Sequence, residues 1–447
     1  MESNSLAAAP IGSLICRFAV PAIISGLVSA LYNIVDQIFI GQYIGTAGNA
    51  ATNIAFPLVT VCTGLSLLLG VGSASNFSLY LGKGDTESAA RVAGTGISCM
   101  AICGAALCAC VLYFLPALMY AFGARGLVFE YAATYTGITA AGFPFLIFGT
   151  AASMLIRADG SPKYAMYSIL SGAVLNCILD ALFIIRLHMG IAGAAYATVT
   201  GQIVSAVIVC CYLFRFKQIR LLPADFVPRL RWLKRIAALG CAACFNQLAM
   251  MAVQITMNNT LGYYGELSRY GRDIPLACVG VIIKVNVVFI AIMVGIAQGC
   301  QPVWGFNYGA RNYERVTAAL KKALVIVYAV SVSAFCCFQL FPRQILSLFG
   351  TGQEMYFEFG ERYLRVFMFC MFTNGAQPVA TNFFSSIGKA TRGILIFSRL
   401  WGIDGVLYAG PVADGTAAGI ALLLLAHETR HMRALSAGKN TVKGRQL

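Results

Sequence analysis

Charged residues are scarce in this chain, since Asp, Glu, Lys and Arg make up 11% of its 447 residues and 59% are hydrophobic. A soluble domain has roughly 25% charged residues, so this composition excludes an ordinary soluble fold. The apolar residues form long stretches near the ~20 residues that a helix needs to cross a bilayer. They do not alternate with a period of two, which argues against a membrane β-barrel. The sequence therefore predicts an all-α polytopic membrane protein.

Histidine is almost absent, with three residues, and acidic residues number only 17. The histidines fall in predicted loops or in the C-terminal tail, so we expect no cofactor and no metal site beyond a possible Na⁺ site. A membrane enzyme would need a His, Cys or Ser constellation at a membrane face, and none is evident. The 16 cysteines lie mostly in apolar stretches, where they act as small hydrophobic residues. The CxxC pair Cys241 and Cys244 is interpreted in the same way.

Basic residues are unevenly distributed along the chain. The net charge of +15 would suit a nucleic-acid partner, but most of the 32 Lys and Arg residues fall in alternate loops. Such a bias marks the cytoplasmic side of a membrane protein. We therefore expect a multi-pass protein of the cell membrane, with both termini in the cytoplasm and the lipid bilayer, not nucleic acid, as its surroundings.

The second half of the chain repeats the first at a nearly constant offset. The matched pairs are Gly72/Gly299, Gly82/Gly309, Glu87/Glu314 and Gly160/Gly388. The offset is 227 to 228 residues up to Gly388 and then drops to 212, so about 16 residues of the first half have no counterpart. A duplicated membrane domain is the usual plan of a secondary transporter, and the drop predicts that one helix is largely missing.

Eleven spans are predicted, in two lobes. The first lobe, 1–214, contains helices 1 to 6, and a basic cytoplasmic linker occupies 215–235. The second lobe, 236–427, contains helices 7 to 10 and 12, with helix 11 largely missing, and a basic tail follows at 428–447. The predicted spans lie near 14–40, 49–80, 92–114, 131–157, 164–187, 191–214, 236–262, 275–300, 320–341, 361–387 and 404–427.

Two acidic residues lie inside predicted spans of the first lobe, Asp36 in span one and Asp180 in span five. A carboxylate within a membrane is costly and usually marks an ion or proton path. Asn176 precedes Asp180 by four residues, so both side chains share one helix face, and Thr198 of span six adds a hydroxyl. These oxygens suit Na⁺, and burial of the carboxyls also suits proton binding. Asp159, at a predicted helix end, is expected to be solvated or to cap the helix.

A conformational switch and a substrate cavity are also predicted. Pro21 interrupts the hydrogen bonds of the first span and permits a bend that responds to protonation of Asp36. Aromatic and Met side chains can bind lipophilic cations in a cavity, and Lys284 is a basic residue within a span. The candidate cavity residues are Tyr32, Phe39, Phe143, Met154, Met250, Met257, Lys284 and Phe306.

Ordered motifs in both halves resemble those of the MATE (multidrug and toxic compound extrusion) family, and most closely its DinF-like branch. They are YNIVDQIFIG (32–41), LGKGD (81–85), RADGSP (157–162), NCILDALFI (176–184), GIAGAAYATV (190–199), GIAQGCQPVWGFNYGARNYERV (295–316), SIGKA (386–390) and GIDGVLYAGPVAD (402–414). The resemblance implies two pseudo-symmetric six-helix lobes around a cleft, with alternating access. It also implies export of cationic, amphipathic drugs in exchange for H⁺ or Na⁺, with Asp36, Asn176, Asp180 and Thr198 as the ion-coupling residues.

Two other functions stay open at this point. A flippase for lipid-linked saccharides would have a related fold, but its cavity should contain several Arg or Lys residues for phosphate groups. A transport-deficient remnant would follow if the missing helix abolishes closure of the second lobe. The internal duplication supplies both lobes within one chain, so we expect a monomer.

Overall fold

The computed structural model of the protein describes residues 5–266, 273–347, 354–369 and 371–388, with a few positions between 423 and 432. Within these residues the chain forms helices and no strand, which confirms the predicted all-α class. A π-helical turn, Ala181–Arg186, extends α7, and a 3₁₀ turn, Pro223–Phe226, lies between the halves. The helices of the first half are α1 (Ser5–Ala8), α2 (Ile11–Tyr43), α3 (Thr46–Lys83), α4 (Thr86–Tyr113), α5 (Leu115–Ala121), α6 (Gly126–Ala158), α7 (Pro162–Asp180) and α8 (Gly190–Leu213). Those of the second half are α9 (Leu230–Glu266), α10 (Asp273–Gly309), α11 (Tyr313–Leu340), α12 (Pro342–Ser347), α13 (Glu354–Phe367), α14 (Met371–Asn374) and α15 (Ala376–Ser386).

Eight segments of the described chain are long and apolar enough to cross a membrane. Six belong to the first half, as predicted, and two to the second half. They are Ile11–Tyr43, Ala47–Lys83, Thr86–Tyr113, Gly126–Ala158, Pro162–Arg186, Gly190–Leu213, Cys278–Gly309 and Tyr313–Leu340. The chain is therefore a multi-pass membrane protein. Helix α9 is 37 residues long and is not counted in this group, because its side chains from residue 252 onward lie outside the described residues.

The predicted span 361–387 is not one helix. It is divided among α13, α14 and α15. Pro378 lies in the first turn of α15 and has no N–H to donate to the Asn374 carbonyl, so it favours a helix start over a helix interior. The predicted span 404–427 lies almost entirely outside the described residues, and so does the chain stretch in which a helix was predicted to be missing.

The internal repeat is evident in the helix boundaries. Helices α4 and α11 both contain 28 residues and begin 227 residues apart. Their N-caps correspond, because Asp85 accepts a hydrogen bond from the Ser88 amide and Asn312 accepts one from the Arg315 amide. The preceding turns also correspond, with a positive φ of 79° at Gly84 and 58° at Arg311.

The lobes meet where small residues let backbones approach closely. In the first lobe, α3 and α8 pack against α6, and α7 packs between α2 and α8. Between the lobes, α2 packs against α10, and α3 packs against α9 and α10. Gly295 of α10 faces Ile23 of α2, and Gly26 of α2 faces Ala291 of α10. A Cβ on Gly295 would lie 2.7 Å from the Ile23 Cα, so a larger side chain there would force the two backbones apart.

The segment between the lobes is held against the first lobe. The Asp159 carboxylate, which follows α6, accepts hydrogen bonds from the Lys217 and Gln218 amides at 2.7 and 2.9 Å. The Ser98 hydroxyl donates to the Phe226 carbonyl, and the Asn76 amide donates to the Arg235 carbonyl. We call this end of the helices, where α3, α6, α8 and α10 finish, the linker end.

Candidate functional site

Two buried carboxylates of the first lobe lie next to each other, far from the linker end. Asp36 lies seven residues before the end of α2, and Asp180 is the last residue of α7. Asp36 is 8% exposed and Asp180 is fully buried. The two carboxyl groups lie within electrostatic range of each other. The structure therefore brings together two residues that are 144 positions apart in the chain.

Several oxygens of Asp36, Asp180 and the neighbouring Asn176 have no hydrogen-bond donor among the described residues. They are Oδ1 of Asp36, both carboxylate oxygens of Asp180 and Oδ1 of Asn176. Asn176 is held by Thr198, because its Nδ2 donates to the Thr198 Oγ1 at 3.4 Å. Asp36, Asn176, Asp180 and Thr198 lie together and are here called the acid site; that they couple ions stays a prediction. Buried acceptors without donors are costly unless a proton or cation joins them.

Glycines of α7 and α8 determine how closely the acid-site helices approach. Gly172 and Gly201 face each other, and a Cβ built on either would lie 2.6 Å from the carbonyl oxygen of the other. A Cβ on Gly201 would also lie 3.2 Å from the Cβ of Asn176. This close contact brings Asn176 within reach of Thr198, and small residues at such positions are typical of packed membrane helices.

Two tyrosines border the acid site, and sequence reasoning identified only one of them. Tyr32, one turn before Asp36 on α2, was predicted as a cavity residue. Tyr135 of α6 was missed, although its side chain is 8% exposed and lies within electrostatic range of both carboxyls and beside Thr198. Tyrosine is common in membrane helices, so nothing in the sequence separates Tyr135 from tyrosines that face lipid.

A cavity lined by both polar and apolar residues opens beside the acid site, between α2, α6, α7 and α8, with about 620 Å³ of empty space including its mouth. We call it the N-lobe cavity. Asn176 and Thr198 belong both to its lining and to the acid site, so the two are continuous. The Gln202 Oε1, a further buried acceptor without a donor, also lines it. The polar lining consists of Ser29, Tyr32, Thr150, Asn176, Thr198, Gln202 and Ser205.

The other predicted cavity residues do not gather at this cavity. Phe39 stacks on Tyr43 near the far end of α2. Phe143 is buried in the main hydrophobic core. Met154 and Phe306 are buried nearer the linker end, where a Cβ on Gly70 would meet the Met154 sulfur at 2.9 Å. Met250 and Lys284 are exposed, and the side chain of Met257 lies outside the described residues.

Pro21 lies inside α2, which continues as one helix from Ile11 to Tyr43. Its ring removes one backbone donor, and the Ser25 hydroxyl donates to the Pro21 carbonyl at 2.7 Å. At Ile23 and Gly26, within one and a half turns of Pro21, α2 packs on α10, and in its last third α2 carries Asp36. The helix that bears the acid is therefore the helix that contacts the opposite lobe.

The acid site is chemically suited to a hard monovalent cation or to a proton. Carboxylate, amide and hydroxyl oxygens are the ligands that such cations prefer. Two neighbouring carboxylates in a medium of low dielectric constant repel each other strongly when both are ionised. One bound proton or Na⁺ removes that repulsion, so the pair is expected to bind and release a positive charge.

Comparisons with known proteins agree with this architecture. A family model described as MatE matches residues 21–182 and 242–400. The multidrug export protein MepA of Staphylococcus aureus is 23% identical over 432 residues, which cover 93% of this chain and 94% of that protein. Its namesake in Staphylococcus saprophyticus is 23% identical and covers 92% of each chain.

Solved structures show the same fold. A MOP superfamily transporter from Pyrococcus furiosus, 24% identical, aligns over 97% of this chain and 99% of that chain with a TM-score of 0.86. A MATE structure described as straight aligns with a TM-score of 0.87 over 97% and 99% of the two chains, at 24% identity. One described as bent aligns with a TM-score of 0.84 over 97% and 98%, also at 24% identity. The two-lobe fold is thereby confirmed.

Proposed function

Because this chain belongs to the MatE family, we propose that it exports lipophilic cationic compounds from the cell in exchange for H⁺ or Na⁺. The observation that carries the proposal is the acid site, where four buried oxygens of Asp36, Asn176 and Asp180 have no donor among the described residues. MepA, which is similar to this chain over nearly its whole length, is a multidrug export protein. The assignment to the DinF-like branch stays a prediction.

Each residue of the acid site has its own role in this proposal. Asp36 and Asp180 share the incoming proton or Na⁺, since one positive charge relieves the repulsion between them. Asn176 and Thr198 contribute neutral oxygens and hold the geometry through their mutual hydrogen bond. No other cofactor is needed, because the chemistry is the binding and release of one cation.

The N-lobe cavity is the proposed binding place of the exported compound. Its polar side chains and the ring of Tyr32 suit an amphipathic cation, since a ring face attracts positive charge. Asn176 and Thr198 belong to both sites, so occupation of the acid site alters the lining that the compound contacts. A coupling ion and a drug that compete for the same oxygens would be exchanged for each other.

Helix α2 is the proposed link between ion binding and movement of the lobes. A cation at Asp36 acts on the last third of α2, and Pro21 is the point at which this helix can bend. The first half of α2 packs against α10, so a bend there changes the contact between the lobes. Alternating access follows if the cation-bound state and the drug-bound state favour different contacts between α2 and α10.

The proposed setting is the cytoplasmic membrane, with both termini in the cytoplasm and a monomer as the functional unit. The basic residues of 215–235 and of the C-terminal tail support this orientation. The described first lobe contains the complete acid site and the N-lobe cavity. One chain therefore contains both proposed binding sites, which supports a monomer as the functional unit.

Export can be tested by ethidium retention in efflux-deficient cells. Cells that express the wild-type chain should retain less ethidium than control cells, and Asp36→Asn and Asp180→Asn should each restore retention. Asp85→Asn is the matched control, because Asp85 is an exposed N-cap outside the spans. Purified protein in vesicles then identifies the coupling ion, through export driven by an imposed H⁺ gradient or by an imposed Na⁺ gradient.

Unchanged export in the double variant Asp36→Asn/Asp180→Asn would refute carboxylate coupling. If no form exports although each reaches the membrane, the drug assignment fails and transport of a lipid-linked saccharide becomes the next hypothesis.

A further inference from the structure

Three cationic side chains cluster around two aromatic rings where the linker meets the first lobe. The rings belong to Tyr80 of α3 and Trp232 of α9, and their centroids lie 5.8 Å apart in an edge-to-face arrangement. The Arg235 Cζ lies 5.8 Å from the Tyr80 centroid and 5.1 Å from the Trp232 centroid, so the guanidinium contacts both rings. The Lys83 Nζ lies 5.4 Å from the Tyr80 centroid, and the Arg231 Cζ lies 5.5 Å from the Trp232 centroid. We call these five residues the ring cluster.

The positive charge of the ring cluster is not neutralised by an ion pair within the described residues. Lys83, Arg231 and Arg235 form no such pair there. Asp85 lies within electrostatic range of Lys83, but its carboxylate accepts the Ser88 amide and caps α4. A ring face attracts a cation without cancelling its charge. The cluster is therefore a concentrated positive surface that an anion from outside the chain can balance.

The ring cluster lies at the boundary between the membrane and water. Lys83 is the last residue of the apolar segment Ala47–Lys83, and Tyr80 lies about one turn before it. Trp and Tyr are enriched at this depth, which is also the depth of the phospholipid headgroups. Lys83 and Arg231 are exposed, whereas the Trp232 side chain is buried. The two exposed cations are thus held at the level of the headgroup phosphates.

Exposed apolar side chains of the linker favour a lipid over a soluble anion. Leu222, Val227 and Leu230 are 54%, 56% and 66% exposed. The range 215–235 also contains seven Lys or Arg residues and a single acid, Asp225, whose carboxylate accepts the Leu222 amide. Exposed apolar residues among cations are typical of segments that lie in the membrane interface, where the apolar groups enter the acyl region and the cations meet anionic headgroups. A free phosphate ion would contact only the cations.

We propose that the ring cluster binds the phosphate groups of anionic phospholipids in the adjoining membrane leaflet. The exposed Lys83 and Arg231 contact the phosphates, since ammonium and guanidinium groups donate charge-assisted hydrogen bonds to phosphate oxygens. Arg235 donates to the Tyr80 hydroxyl, so it stays against the rings and contributes its charge from there.

A bound lipid connects the two helices that form the cluster. Lys83 ends α3 of the first lobe, and Arg231 lies in the first turn of α9, with which the second half begins. The Asn76 side chain of α3 donates to the Arg235 carbonyl of α9 at 3.0 Å, so the two helices are in contact here. A lipid that binds cations of both helices stabilises this contact by mass action. Anionic lipid is therefore a stabilising ligand of the fold, separate from the acid site.

Thermal unfolding of the purified full-length protein in detergent micelles tests the proposal. Dioleoylphosphatidylglycerol is added at constant ionic strength, and dioleoylphosphatidylcholine, which has the same acyl chains and no net charge, is added in parallel. The wild-type melting temperature should rise with the anionic lipid to a plateau and rise less with the zwitterionic lipid. Lys83→Gln and Arg231→Gln should each raise the half-saturating fraction of anionic lipid about fivefold, the contribution of one cation near an anionic surface.

Lys163→Gln is the matched control, because Lys163 is an exposed cation at the start of α7, at the same end of the molecule, and lies over neither ring. Its lipid response should equal that of the wild type. An unchanged half-saturating fraction in the double variant Lys83→Gln/Arg231→Gln would overturn the proposal. So would an equal rise in melting temperature with inorganic phosphate, because the cluster would then bind free anions.

Native mass spectrometry gives a readout that does not depend on stability. The wild-type protein, in an equimolar mixture of the two lipids, should retain phosphatidylglycerol in preference to phosphatidylcholine, and the double variant should lose most of this preference. A wild-type protein without preference for the anionic lipid would overturn the proposal, whatever the variants do.

Discussion

Gly295 of α10 lies against Ile23 of α2, so close that a Cβ on the glycine would stand 2.7 Å from the Ile23 Cα. This contact joins α2, which carries Asp36, to α10, which finishes at the linker end. We predict that Gly295→Val pushes the two lobes apart and lowers stability by about 1–3 kcal/mol, the usual cost of overpacking. Melting temperature and ethidium retention would both report the loss.

Gly280 provides the control for that experiment on the same helix. A Cβ there meets no atom of the described residues within 4 Å, so Gly280→Val should leave stability nearly unchanged. Equal losses for the two variants would mean that helix propensity, and not the contact between the lobes, explains the effect.

Cation binding at the acid site should depend on the hydroxyl group of Thr198 and not only on the shape of the Thr198 side chain. Thr198→Val keeps the branched side chain but removes the partner of the Asn176 Nδ2 and one oxygen of the site. We expect the half-saturating concentration of the coupling cation to rise about tenfold, as for one lost hydrogen bond near a charge. Cation-driven export in vesicles measures this concentration. Thr200→Val is the control, because the Thr200 hydroxyl donates to the Tyr196 carbonyl of its own helix; if it lowers affinity equally, the Thr198 assignment is wrong.

The turns that precede α4 and α11 allow a reciprocal test of backbone strain. Arg311 has a φ of 58° and Gly84, its counterpart in the repeat, has a φ of 79°. A non-glycine residue in this region costs about 1–2 kcal/mol, partly offset because glycine loses more entropy on folding. Arg311→Gly should therefore raise the melting temperature and Gly84→Ala should lower it. Changes of the same sign in both variants would contradict this explanation.

Asp159 should make stability depend on pH. Burial raises the pKa of this carboxyl to about 6, although hydrogen bonds from Lys217, Tyr212 and Gln218 oppose the rise. An unfolded Asp has a pKa of about 3.9, so the folded protein binds more protons between pH ~4 and ~6. Stability contributed by this group therefore increases as pH falls through that window and is lost as pH rises through ~6.

The measurement compares wild type with Asp159→Asn, which does not titrate. On acidification from pH ~7.5 to ~4.5, wild type should gain on the order of 2 kcal/mol relative to the variant. Asp85→Asn gives the opposite sign, because hydrogen bonds from Ser88 lower the pKa of the exposed Asp85 carboxyl. The contribution of Asp85 is present above pH ~4 and is lost below it. Parallel pH profiles for wild type and Asp159→Asn would refute the role of Asp159.

Local patterns were enough to predict the helices and much of the acid site. Apolar stretches located the six long helices of the first half because each span needs a fixed length of apolar chain. The 227-residue repeat anticipated the equal lengths of α4 and α11. Asn176 and Asp180 were placed on one helix face by their four-residue spacing. Burying a carboxylate within a membrane span costs free energy, so its presence there indicates a functional role.

Other features depend on which helices pack against each other and through which faces. The spacing of residues along the sequence contains no such information. Tyr135 and Gln202 became visible only beside Asp36 and Asn176, while Phe143, Phe306 and Met250 proved to lie away from the N-lobe cavity. The predicted span 361–387 is divided into α13, α14 and α15. Hydropathy averaged over the span does not show the effect of the single residue Pro378, which favours a helix start.

By itself the sequence determined the class of the protein, its duplicated plan and the residues that bear charge within the membrane, because each follows from composition, length or periodicity. The tertiary structure alone decided which charges are paired. It brought Asp36 close to Asp180, bonded Asp159 to the linker and placed Arg157 between the lobes with no carboxylate partner among the described residues. Pairing is a property of distance and burial, and helices distant in sequence acquire both only when glycines such as Gly172, Gly201 and Gly295 bring their backbones together.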